Sequence, residues 1–90
     1  MKKLEKIGMC PSYKGYEYWK RAAQIAKKEK FHMTHIYEKL AEEFNTTPGA
    51  IQRGMATALR NITNIEKKLK VDYTITQKKF LGWLVYKGVE

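Results

Sequence analysis

Ninety residues, 43% of them hydrophobic, suffice for one packed core and leave no room for a second. No apolar run approaches the roughly 20 residues that span a bilayer. The single cysteine, Cys10, excludes an intramolecular disulfide and argues against a cysteine-based zinc site, which fits a reducing cytoplasm. Eighteen Lys and Arg against nine Asp and Glu leave a net +9, a charge that draws polyanions: nucleic acid first, anionic membrane second, acidic proteins third.

Residues 1–11 read as a short N-terminal arm ending at Pro11. Its Glu5-Lys6 pair and the lack of a following apolar core set it apart from a secretory signal. Ser12 then suits the N-cap of a first helix over residues 13–29. Tyr16, Trp19, Ala23 and Ala26 recur at the spacing of one helix face, widened by Tyr18, Ala22 and Ile25, while Lys14, Glu17, Arg21, Gln24 and Lys28 fall opposite. Thr34 is placed to cap a second helix over residues 35–44, with Ile36, Leu40, Ala41 and Phe44 inward and Glu38, Lys39, Glu42 and Glu43 outward.

Asn45-Thr46-Thr47-Pro48 stops that helix and starts the next. Asparagine tolerates the left-handed conformation of a helix end, threonine caps the new N-terminus, and proline suits a first helical position because its missing N–H would go unpaired anyway. The third helix is expected from Pro48 to at least Asn61, extending to Leu69 if unbroken, on a stripe of Ile51, Met55, Ala58, Leu59 and Ile62. Residues 71–76 alternate apolar and polar and read as a short extended segment, too isolated to make a sheet. A last helix from Gln77 to Lys87 carries Phe80, Leu81, Leu84 and Val85, with Gly88 placed to end it. The chain thus reads as a single all-α domain over residues 1–90, a small multi-helix bundle.

Two helices meeting across so tight a turn make residues 36–62 a helix-turn-helix, whose second helix enters the major groove of DNA. Ala41 supplies the small contact where the helices cross, and Ile51, ten residues later, the branched anchor. Gly49, Gln52, Arg53, Ala56, Thr57 and Arg60 lie away from the apolar stripe. Arginine donates two hydrogen bonds to guanine O6 and N7, and glutamine pairs similarly with adenine. Gly49 and Ala56 let the backbone approach the groove, while Thr47 and the free N–H groups of the first turn suit a phosphate. A merely solvated face would carry Glu and Lys pairs. This one has no acid from Pro48 through Ile65.

The segments IGMCPSYKGYEYWKRA and IYEKLAEEFNTTPGAIQRGMATAL resemble the C-terminal effector domain of the sporulation response regulator, stage zero sporulation protein A. Ile7-Gly8, Lys14-Gly15-Tyr16, Tyr18, Tyr37, Ala41, Phe44-Asn45-Thr46-Thr47, Ile51, Arg53 and Ala58 carry the likeness, which covers residues 7–60 and fades beyond Arg60. It implies an all-helical transcription factor that binds short boxes of double-stranded DNA, often as tandem copies, and can contact RNA polymerase; a homodimer on DNA is the alternative to tandem binding. By position it makes Arg53 the main base-reading arginine and Gln52 the counterpart of the family's glutamate. Glutamate accepts from cytosine whereas glutamine prefers adenine, so a changed box sequence is expected. Ala50 and Ala56 stand where the family commonly carries further arginines. The polymerase-contacting surfaces expected beyond Arg60 do not transfer by position. Nothing in the 90 residues could form the regulator's receiver domain. The chain is therefore a stand-alone protein or an excised domain, and a stand-alone one is expected to act through abundance, dimerisation or a partner.

His32, His35 and Glu38 have a spacing that suggests metal ligation, but no fourth ligand accompanies them and no metal is expected. Trp19 and Trp83 are expected in the core rather than stacked on bases. Cys10 has no partnered base, and no catalytic triad, carboxylate pair or phosphate loop stands out, so neither catalysis nor a cofactor is expected. The competing reading is a degenerate relative that lost DNA arginines and binds a protein such as the regulator itself.

Overall fold

The computed structural model describes residues 5–9, 14–29, 31–62 and 64–88. In order come α1 (Lys14–Lys28), α2 (Met33–Glu43), α3 (Pro48–Arg60), the short α4 (Ile65–Leu69) and α5 (Gln77–Trp83), which continues as a π-helical turn, Leu84–Gly88. There is no strand among the described residues. The all-helical bundle expected from periodicity is the observed fold.

Each stripe faces one shared core. Tyr16, Tyr18, Trp19, Ala22, Ala23 and Ile25 of α1 are buried, as are Ile36, Leu40 and Ala41 of α2, Ile51, Met55 and Ala58 of α3, and Phe80 and Leu81 of α5. Trp19 is the keystone. Its indole N–H donates to the backbone carbonyl of Met55 at 3.0 Å, and its ring meets Phe80 edge-on at 4.8 Å. A buried indole N–H without a partner is costly, so this bond fixes α1 against α3 in one register.

The crossing of α1 and α3 is closer than side chains allow. A Cβ on Gly15 would lie 2.4 Å from the Gly54 carbonyl oxygen and 2.5 Å from the Ala58 Cβ. A Cβ on Gly54 would in turn lie 2.8 Å from the Tyr18 ring. Only glycine fits both places.

Several expectations change. The supposed arm is anchored to the core through two side chains: Ile7 and Met9 are buried, Gly8 turns the chain at φ +100°, and Tyr16 donates to the Glu5 carboxylate at 2.9 Å. Cys10, Pro11, Ser12 with its expected cap, and Tyr13 lie outside the described residues. His32, not Thr34, caps α2. His32 is the last extended residue (φ −140°, ψ 116°) and its carbonyl takes the first helical bond, from Ile36 N–H at 3.0 Å. Thr34 therefore sits inside the first turn. Phe44 is not inward but 40% exposed, because α2 ends at Glu43; its ring meets Tyr18 edge-on at 4.9 Å at the surface. The third helix stops at Arg60, and left-handed Asn64 (φ 54°) separates it from α4. Trp83 does pack against the core as expected, half-buried and parallel to Phe80.

Candidate nucleic-acid interface

The turn between α2 and α3 is built from the residues that the sequence offers for it. Asn45 adopts φ 54°, which lets Thr46 N–H reach the Ala41 carbonyl at 2.9 Å and Asn45 N–H the Glu42 carbonyl at 3.4 Å. These are the paired bonds of a Schellman ending. Thr47 is extended (φ −105°, ψ 155°), and its hydroxyl accepts from Ala50 N–H at 3.1 Å, with Pro48 in the first helical position. One orphan donor of α3 is thereby satisfied, and four residues, 44–47, separate the two helices.

With Ile51, Met55 and Ala58 pulled inward, the opposite face of α3 must point to water. Thr47, Gly49, Gln52, Arg53, Thr57 and Arg60 are all exposed and lie on one ridge. Ala56 departs from the expectation by being half-buried, as is Ala50. Gly49 also leaves room for a neighbour of its own helix. A Cβ there would lie 3.5 Å from Arg53 Nη1, so the guanidinium is folded back beside the first turn of α3.

Charge on the ridge is uncompensated. No carboxylate pairs with Arg53 or Arg60 among the described residues. The remaining arginine, Arg21, is committed elsewhere: its Nε and Nη2 donate to the two Glu43 oxygens at 2.8 and 2.9 Å, joining α1 to the end of α2. That bond raises the Arg21 pKa above its ordinary value. Among the described residues, the two arginines without a carboxylate partner therefore both belong to α3. His35 does not look toward a ligand set but toward Glu29, 3.0 Å away, and this contact first, then Lys39 and Arg21, holds the Glu29 carboxyl below its ordinary value.

Sequence reasoning missed the residue behind the ridge. Gln77, the first residue of α5, donates from Nε2 to the backbone carbonyl of Gln52 at 3.0 Å, while its Oε1 accepts from the Tyr37 hydroxyl of α2. Burial pushes the Tyr37 phenol pKa up, which keeps its O–H a donor. A glutamine opening a helix carries no pattern that announces such a bond. Tyr37 entered only through family likeness.

Chemically, the arrangement offers an acid-free helical ridge with a bidentate-capable arginine and an amide beside it, above a capped helix N-terminus. Residues 1–80 match the family described as sporulation initiation factor Spo0A C terminal. The match runs past Arg60, where likeness of individual residues fades, to include α4 and the start of α5. No curated protein and no solved structure matches the chain.

Proposed function

The chain belongs to the Spo0A C-terminal family, whose members are DNA-binding effector domains of sporulation regulators, and from that premise we propose that it reads duplex DNA sequence-specifically in transcription control. Gln52 and Arg53 read base edges, with Arg53 on guanine and Gln52 on adenine. Thr47, Gly49 and Arg60 lie along the phosphates, and Ala56 and Thr57 line the approach. The observation that carries this reading is the exposed ridge of α3, with two arginines that no carboxylate pairs among the described residues and no acid of its own. The domain acts as a unit over residues 1–90, in the cytoplasm, and without catalytic chemistry of its own. Contact with RNA polymerase and binding as a homodimer or in tandem belong to the same proposal.

Selection from a random duplex pool identifies the preferred box, and footprinting then compares the wild type with Arg53→Ala. The expected result is loss of preference at the base pairs beneath Arg53, by about tenfold or more, with weak non-specific binding retained. Unchanged site preference in Arg53→Ala refutes the assignment. Sequence-indifferent DNA binding beside a stoichiometric protein complex would favour the protein-interaction reading instead.

A further inference from the structure

We propose that Gln77, held by Tyr37, is a positioning residue for base readout: it sets the roll of α3 and so aims Gln52 and Arg53. The inference rests on the DNA-reading proposal above and deepens it.

The amide of Gln77 is used at both ends with matching chemistry. Its NH₂ meets a carbonyl, Gln52 O, at 3.0 Å, and its carbonyl oxygen meets a hydroxyl, that of Tyr37. Turning the amide over would set oxygen against the Gln52 carbonyl and NH₂ against the phenol, so the orientation is fixed by its partners. Three helices are tied at one side chain: α2 through Tyr37, α3 through Gln52, and α5 through Gln77 itself.

The bond falls where roll matters. On the inward side, the first turns of α3 are gripped by Ile51 and Met55, an apolar contact that constrains burial but has no direction. A hydrogen bond does have direction. Side-chain tips on a helix stand about 6 Å from its axis, so a roll of roughly 10° displaces them by about 1 Å. Bidentate base contacts are lost at that error, since a functional constellation must be held to roughly 0.5 Å. The peptide carrying the bond belongs to Gln52, and the next residue is Arg53. The anchor thus sits on the backbone of the residues that it would aim, and it leaves their side chains free.

Gln77 itself is half-buried on another helix and does not lie on the α3 ridge. Removing its amide should therefore alter which box is chosen more than how tightly any DNA is held. The test measures binding of the wild type, Gln77→Met and Tyr37→Phe to the selected box, to single-base variants of it, and to random duplex. Gln77→Met keeps length and helix compatibility but neither polar end, and Tyr37→Phe removes only the hydroxyl. The expected outcome is about a tenfold loss of discrimination at the base pairs beneath Gln52 and Arg53 for Gln77→Met. Tyr37→Phe should lose less, and affinity for random duplex should stay within about twofold in both.

If the wild type selects a box and both variants keep its discrimination, the positioning role is overturned and DNA reading stands. A uniform fall in affinity for every duplex, with discrimination intact, overturns it equally, because that is the signature of lost stability alone. If the wild type selects no box, the DNA-reading proposal fails, and Gln77 has nothing to aim.

Discussion

At the scale of single residues, the threonine that opens α3 has a measurable stabilising role. Thr47 satisfies Ala50 N–H through its hydroxyl. Thr47→Ala should lower stability by about 1 kcal/mol, a fall in melting temperature of roughly 4–8 °C for a domain this size, read by thermal denaturation. A change indistinguishable from zero would mean that water replaces the hydroxyl without loss. This local chemistry was legible in the sequence because it is local: Asn45, Thr47 and Pro48 each restrict the backbone in a way that depends on near neighbours alone. Thr34 was misread for the complementary reason. Threonine is the better cap in isolation, yet the chain is extended through His32, so the helix begins before threonine can cap it. Phe44 was misread because periodicity counts a residue as inward wherever the helix continues, and α2 does not continue.

Among elements, the least regular stretch is tied down by a carboxylate. Residues 71–76 leave α4 through left-handed Lys70, and Glu66 of α4 accepts from Ile75 N–H at 3.0 Å. That bond first, and one from its own backbone N–H, hold the Glu66 carboxyl below its ordinary value of 4.5. A carboxyl depressed in the folded state takes up protons more readily when unfolded, so its contribution is full above pH 4.5 and fades as pH falls through the lower, folded value. Glu66→Gln should therefore be less stable than the wild type near neutral pH, with the gap narrowing in acid. Urea titrations across pH check this, and a constant gap at every pH would assign the loss to packing. None of this was visible beforehand. The alternation in residues 71–76 suggested an extended segment, whereas the chain bends at Asp72 and Tyr73, and the pattern could not name an acid nine residues before Ile75 as its partner. The Gly15–Gly54 crossing was equally hidden, since it joins residues far apart in sequence.

For the whole molecule, the net charge of +9 and the pairing pattern separate two kinds of cation. Arg21 is consumed in tying α1 to α2, whereas Arg60 stands exposed at the last residue of α3. Arg60→Ala should weaken binding to all duplexes alike and reduce the slope of log affinity against log salt by about one unit, leaving the preferred box unchanged. Filter binding across a salt series measures it, and a shift in box preference would move Arg60 from phosphate to base. The bundle and its exposed ridge could be read from the sequence because stripe and turn chemistry state them directly. What braces the ridge could not, because its anchors, Trp19, Gly15 and Gln77, come from other helices.

The Trp19–Met55 bond has an optical consequence. An indole's emission responds to whatever its N–H touches, and here it touches the main chain of the helix proposed to lie in the groove. The protein thus carries a native fluorophore bonded to the helix proposed to read DNA. With the second, half-buried tryptophan replaced by phenylalanine, emission would report on the Trp19–Met55 contact alone, without any label attached.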